Sequence, residues 1–331
     1  MTTIRIHFLG GTIGYAAGRE ADDGEDGRLA RLGPDALLAA VPGLDRLDAT
    51  LEVHAAEPVP SASLTFQQLA DLARDAADAC DAGAADAVVM VQGTDTLEES
   101  AYLLDLLWDR PEPVVLTGAM RNPTLAGADG PANLLAAVSV AADPQFRELG
   151  AVVVLADEVH SARTVQKVHT TRPHAFGSPD RGPLGVVVEG RPTLVQQPMA
   201  TRVTLRPTGP LSARVPVLTV GLDEDPAVLA ALAGVADGLV VAALGGGHVP
   251  GRLAEPLGEL AKRAPVVLAS RVSAGRVLTD TYRAPGSESD LLGRGLVWSG
   301  FLGAAKARVL LMTTLACAGV SVPDTFAAAT S

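Results

Sequence analysis

Two threonines stand where a hydroxyl could do chemistry. Thr12 lies in Gly10-Gly11-Thr12-Ile13-Gly14 and Thr94 in Gly93-Thr94-Asp95-Thr96, each directly after a short apolar run that reads as a β-strand. A threonine hydroxyl is a weak nucleophile until a neighbouring base takes its proton. The chain has 26 basic residues, but its only lysines are Lys167, Lys262 and Lys306. Arg keeps its proton in a protein, whereas Lys can give it up where its surroundings favour the neutral form. A lysine beside Asp95 could therefore shuttle a proton from a threonine. Lys167, in the polar stretch Arg163-Thr164-Val165-Gln166-Lys167-Val168-His169, is the candidate, and this stretch reads as irregular. The same residues also fit ordinary structural roles at loop ends, and on residue chemistry alone both readings stay open.

Other chemistries find less support. Neither GxxxxGK[ST] nor GxGxxG is present, so a phosphate loop is not indicated. His160, His169 and His174, with Asp157 and Glu158 nearby, lack any familiar ligand spacing and read as polar loop residues, so no metal is expected. No GxSxG elbow marks a serine hydrolase. The 38 acidic residues outweigh the basic ones, for a net charge of −12, which argues against a nucleic-acid or anionic-membrane surface. Cys80 and Cys317 lie far apart without a CxxC motif and read as small buried residues. The first residues show no charged segment followed by an apolar one, and no uncharged apolar run reaches the length of a membrane span. A cytoplasmic protein is therefore expected.

The elements that must position these residues alternate strand and helix, the pattern of α/β domains with a mostly parallel sheet. Strands are predicted over Ile4–Leu9, Leu51–Ala55, Ala87–Val91, Pro113–Leu116 and Ala151–Leu155. Helices are predicted over Thr65–Ala82, Leu97–Trp108 and Pro131–Ala142. Thr96-Leu97-Glu98-Glu99 fits a capping box, and the Gly/Asp-rich stretch Ala16–Gly33 reads as a mobile loop. With 48% hydrophobic and 19% charged residues the chain can bury large cores. Prolines at 192, 198, 207 and 210 interrupt any period, so residues 191–214 read as a connector. It separates a larger N-terminal catalytic α/β domain, 1–190, from a smaller C-terminal parallel-sheet α/β domain, 215–331. In the latter, strands are predicted at Val215–Val220, Gly238–Ala242 and Val266–Ala269, and helices at Pro226–Ala233, Arg252–Arg263 and Ala304–Ala318.

At this point the motifs resemble those of the bacterial-type L-asparaginase/glutaminase family. Gly10 to Gly14 is similar to its GGTIA/G signature, and Gln92 to Glu99 to its HGTDTxEE signature. Val114 to Arg121, followed by Asp129-Gly130-Pro131 and Asn133-Leu134, is similar to its VVLTGAMR…DGPxNL block. Lys167-Val168-His169-Thr170, Ser270-Arg271-Val272 and Lys306-Ala307-Arg308 add to the likeness. The resemblance implies hydrolysis of the asparagine side-chain amide to aspartate and ammonia, without a cofactor. It also implies a homodimer or a homotetramer built as a dimer of dimers, with each site completed by a neighbour's C-terminal domain. Carried over, Thr12 is the nucleophile, while Thr94, Asp95 and Lys167 form a second triad. Ser61 would hold the substrate α-carboxylate, Asp95 would also meet its α-ammonium, and the Ala119 carbonyl would accept from its amide nitrogen. Gly93 and Thr94 would also line the substrate site, and backbone N–H groups near Thr12 and Thr94 would stabilise the oxyanion.

The departures fall on the substrate anchors. The family's loop Tyr is missing between Ala16 and Ala30, and Tyr15 either replaces it or packs. Ser61 is followed by Ala62-Ser63 in place of the usual Gln-Asp. The C-domain loop reads Leu244-Gly245-Gly246-Gly247-His248 where the family tends to have asparagines. Thr281-Tyr282-Arg283 stands near the acidic residue expected from a neighbouring subunit. His248 and Tyr282 are the candidate replacements. These changes keep open a preference for glutamine or another small amide, and a weakly active amino-acid binding or sensor protein.

Overall fold

The computed structural model describes residues 1–11, 38–55, 59–197 and 202–330. Thr12, Tyr15 and the stretch 16–33 lie outside them. The chain divides into two compact units, Met1–Pro198 and Met199–Ser331.

The first unit holds ten strands among its described residues: β1 (Thr2–Phe8), β2 (Ala49–Ala55), β3 (Ala87–Val91), β4 (Val114–Thr117), β5 (Ala151–Leu155), β6 (Glu158–Ser161), β7 (Gln166–Lys167), β8 (Phe176–Gly177), β9 (Gly185–Val188) and β10 (Arg191–Leu194). Its main sheet has eight strands in the order β10-β9-β6-β5-β4-β3-β1-β2. The run from β5 to β2 is parallel, and β6, β9 and β10 extend it antiparallel. Helices α1 (Phe66–Asp81), α2 (Leu97–Leu107) and α3 (Gly130–Ala142) cover it.

The central strand explains why this sheet is covered on both faces. All five side chains of β3, Ala-Val-Val-Met-Val, are buried, as expected for a parallel strand with helices on either side. Ala87, Val89 and Val91 join Ile4, Ile6 and Phe8 in a core that includes Leu134 and Val138 of α3. Val88 and Met90 point the other way, into a core with Ala73 and Ala76 of α1 and Leu97, Ala101 and Leu104 of α2. Each buried Val or Leu contributes about 1.5–3 kcal/mol. At the start of α1 a capping box forms, with Thr65 Oγ1 accepting from the Gln68 N–H and Gln68 Oε1 accepting from the Thr65 N–H.

Three local expectations need correction. Thr96 is the N-cap of α2, but its side chain makes no capping bond. A 3-10 turn, Thr94–Thr96, precedes the helix and gives Thr96 a compact rather than extended backbone (φ −117°, ψ 14°). Its hydroxyl donates instead to the Ser61 carbonyl at 3.0 Å. The stretch around Lys167 is not wholly irregular, because β7 pairs antiparallel with β8, Lys167 facing Phe176. The connector expected over 191–214 begins with a strand, since Arg191–Leu194 pairs with β9. Pro192 is tolerated there because β10 lies at the sheet edge, where a missing N–H costs no ladder bond.

The second unit holds β11 (Val217–Thr219), β12 (Leu239–Ala243), β13 (Val266–Ser270) and β14 (Val297–Trp298), all parallel and in that order. Helices α4 (Pro226–Ala233), α5 (Gly251–Ala261), α6 (Glu288–Gly293), α7 (Ala304–Leu315) and α8 (Val322–Thr330) accompany them. Leu218, Val241, Leu253, Leu257 and Leu268 lie in its core. Residues 202–214 form no helix or strand and are fixed within this unit, the Thr208 N–H donating to the Ala316 carbonyl at 2.9 Å. Among the described residues no helix is long and apolar enough to cross a membrane.

Candidate active site

Chain order and sheet order disagree around β1. The chain runs β1, β2, β3, yet β2 lies on one side of β1 and β3 on the other. Such a reversal leaves a crevice at the carboxyl ends of the strands, the usual ligand position in an open α/β sheet. The ends of β1, β3 and β4 are stitched together beyond the strands themselves. The Leu9 N–H donates to the Val91 carbonyl at 2.9 Å, the Leu9 carbonyl accepts from the Val59 N–H at 2.9 Å, and the Gln92 N–H donates to the Thr117 carbonyl at 3.1 Å.

The glycine-rich motifs allow this convergence. Gly11 has φ +94°, and a Cβ there would stand 2.4 Å from the Gly93 nitrogen. A Cβ on Gly93 would in turn stand 2.6 Å from Ser61 Oγ. Only glycine lets these backbones approach so closely. Ser61 is thus a buried residue on a short 3-10 turn, Ser61–Ser63, held against Gly93 and by Thr96.

Lys167 reaches this point from β7. Its Nζ lies 3.0 Å from Thr94 Oγ1 and 3.0 Å from Asp95 Oδ1, and its backbone N–H donates to Glu98 Oε2 at 3.0 Å. Thr94 is buried and the Lys167 side chain is 18% exposed, whereas that of Asp95 is 70% exposed. An ion pair with so exposed a partner contributes little stability, so the contact serves to aim the ammonium. A protonated Lys167 donates to both oxygens; a neutral one can accept the Thr94 proton across the same 3.0 Å contact.

Ala119 is buried in the loop after β4, which a pair of side chains on α3 and its N-cap holds. Asp129 accepts from the backbone N–H groups of Met120 (3.0 Å) and Arg121 (2.8 Å) and from Asn133 Nδ2 (3.1 Å). Asn133 Nδ2 also donates to the Gly118 carbonyl at 2.9 Å, and its Oδ1 accepts from the Ala156 N–H at 3.0 Å.

His248 and Tyr282 belong to the second unit and meet there edge to face, with ring centroids 4.9 Å apart. Lys262, at the end of α5, is exposed and paired with Glu259, while Lys306 is buried in α7. Among the described residues no cluster of three or more His, Cys, Asp or Glu side chains is placed to hold a metal ion.

Thr94, Asp95, Lys167, Gly93 and Ser61 are therefore gathered at one set of strand ends, with the Ala119 loop on the neighbouring strand. Sequence reasoning passed over Glu98, Asp129 and Asn133 as positioning groups. The i, i+4 spacing of Asp129 and Asn133 was the available signal, because such a pair shares one helix face. For Glu98 the signal was absent, since its partner lies 69 residues away.

Fold and site together define a two-unit α/β enzyme whose N-terminal strand ends gather a threonine, an aspartate and a lysine. The chain matches the family "Asparaginase, N-terminal" over residues 3–200 and the "Glutaminase/Asparaginase C-terminal domain" over residues 214–321. It is 39% identical over 316 residues to a probable L-asparaginase of Deinococcus radiodurans, covering 94% of this chain and 91% of that protein. It is 33% identical over 325 residues to an L-asparaginase of Bacillus licheniformis, covering 98% of each. The crystal structure of a probable cytoplasmic L-asparaginase from Campylobacter jejuni superposes with a TM-score of 0.83 at 31% identity, covering 98% of each chain. The chain belongs to the asparaginase family and is an amide hydrolase.

Proposed function

We propose that this protein hydrolyses the side-chain amide of L-asparagine to L-aspartate and ammonia, with Thr12 as nucleophile. The observation that carries the mechanism is the Lys167 Nζ poised between Thr94 Oγ1 and Asp95 Oδ1 at 3.0 Å from each. In the first half-reaction the Thr12 oxygen bonds to the amide carbon, the Thr12 hydroxyl proton passes to the amide nitrogen, the C–N bond breaks, and ammonia leaves. In the second, water attacks the resulting ester, Thr94 and Lys167 take one of its protons and return it to the Thr12 oxygen as the ester C–O bond breaks, which frees aspartate. Asp95 orients Lys167 and meets the α-ammonium, Ser61 holds the α-carboxylate, and His248 and Tyr282 bind substrate. Ammonia release from purified protein given asparagine tests the proposal; no release at neutral to alkaline pH overturns it.

A second reading, glutamine as co-substrate, is favoured by the altered anchors around Ser61 and His248. A Pseudomonas aeruginosa relative, 33% identical over 296 residues, is a glutaminase-asparaginase. Comparing kcat/KM for the two amides separates the readings. The active form in this proposal is a homodimer or homotetramer. We place it in the cytoplasm, as for the Campylobacter protein, although a Haemophilus influenzae relative is a probable periplasmic L-asparaginase.

A further inference from the structure

Glu288, at the start of α6, is a carboxylate with no exposed surface. Its oxygens have specific partners. Oε1 accepts from the backbone N–H groups of Thr281 and Tyr282, each at 2.7 Å, and Oε2 lies 3.0 Å from His248 Nε2. Ser287 Oγ donates to the Tyr282 carbonyl at 2.8 Å, and Ser289 Oγ donates to the same carbonyl. One buried side chain thus ties together two separate loops, those of His248 and of Thr281–Tyr282. Among the described residues no lysine or arginine forms an ion pair with it.

A buried carboxylate without a permanent cation is costly to keep, and a neutral side chain could brace two loops at lower cost. A neutral amide or hydroxyl side chain both donates and accepts, so it does not by its chemistry alone dictate a proton position. Burial pushes the Glu288 carboxyl upward, but the N–H groups of Tyr282, Thr281 and Glu288 itself, with His248, outweigh that and hold it below the usual range. An ionised carboxylate only accepts hydrogen bonds. The proton on His248 Nε2 is then obligatory, and in the neutral imidazole Nδ1 is the acceptor.

We propose that Glu288 is a positioning residue that fixes His248 as the Nε2–H tautomer and holds the Tyr282 ring beside it, making one recognition element whose Nδ1 takes an N–H of the substrate. This rests on the reading above that His248 and Tyr282 bind substrate. Tyr282 is a half-exposed residue, and its ring adds an apolar wall to that acceptor.

The test uses the full-length protein, with imidazole 15N NMR to report the tautomer and steady-state kinetics on asparagine. The His248 resonances are assigned from their loss in His248→Gln. In the wild type we expect an Nε2–H tautomer. In Glu288→Gln the Thr281 and Tyr282 N–H groups claim the single amide oxygen, so the NH2 group faces His248 Nε2 and donates to it; the tautomer then shifts to Nδ1–H, and KM rises roughly tenfold or more with a smaller change in kcat. Glu288→Asp keeps the charge and recovers part of both signals, and it carries the test where Glu288→Gln does not fold. An unchanged His248 spectrum in the folded variants overturns the proposal, as does a shifted tautomer with unchanged KM. A wild type that releases no ammonia overturns the functional reading, while the tautomer still decides whether Glu288 positions His248.

Discussion

The backbone N–H of Lys167 donates to Glu98 Oε2 at 3.0 Å, fixing a strand residue to the first turn of the helix that follows Thr94. The Lys167 side chain returns to the same segment, to Thr94 and Asp95. Residues 94–98 therefore set both ends of the lysine. A flexible side chain with four rotatable bonds is aimed by holding its root and its tip, which reduces what must be ordered when substrate arrives.

This arrangement gives Glu98 a measurable part. Glu98→Ala removes the anchor of the lysine backbone without touching the reacting groups. Ammonia release from asparagine should fall roughly tenfold or more in kcat, with Tm lowered by a few degrees or less. Glu98→Gln keeps an acceptor oxygen and should recover most of the rate. A Glu98→Ala enzyme with wild-type kcat would dissolve the link.

Lys167 itself should separate charge from proton exchange. Lys167→Arg keeps the positive charge but cannot become neutral, and Lys167→Met removes both. If the lysine moves a proton, both variants should lose roughly a hundredfold to ten-thousandfold in kcat while circular dichroism and Tm stay near wild type. Wild-type turnover in Lys167→Arg would leave Lys167 as an electrostatic group only.

The parallel core was legible because its strands are buried on both faces and read as unbroken apolar runs: Ala87–Val91 and Ala151–Leu155 appear as expected. Short antiparallel strands carry no such signal. Gln166–Lys167 and Phe176–Gly177 are two residues each, too brief for any period, and Arg191–Leu194 hides behind Pro192. The threonine and lysine of the site could be read from motif and residue chemistry. Glu288 could not, since its role depends on pairing with His248, which is 40 residues away, and a lone glutamate before an apolar segment reads as a helix start.

The pH dependence of stability should carry a signature of His7. This residue on β1 is buried, near Arg5, His54 and Asp75. Burial, then Arg5, lower its pKa from 6.5 to about 4, against an upward pull from Asp75. The unfolded chain thus binds a proton that the folded one refuses between those values, so this contribution to stability is lost as pH falls below about 6.5. From pH 7 to pH 5 it amounts to about 2 kcal/mol. Urea midpoints for wild type and His7→Gln, compared over that range, should converge toward acid by this amount; parallel curves would count against it.

Asp129 offers a sharper test of how the Ala119 loop is held. Its Oδ1 accepts from the Arg121 N–H, while Oδ2 accepts from both the Met120 N–H and Asn133 Nδ2. Every one of these partners is a donor, so the site needs two acceptor oxygens. Asparagine supplies only one, and its NH2 group must face an N–H with no acceptor to meet. Asp129→Asn, a change of nearly equal size and shape, should therefore destabilise the protein almost as much as Asp129→Ala, each by roughly 2–4 kcal/mol. Both should also raise KM for asparagine, because the Gly118–Arg121 backbone loses its tether while Lys167 and Thr94 keep theirs. Urea denaturation with steady-state kinetics on the two variants checks this. A near-wild-type Asp129→Asn would mean that size at this position, rather than the pattern of acceptors, holds the loop.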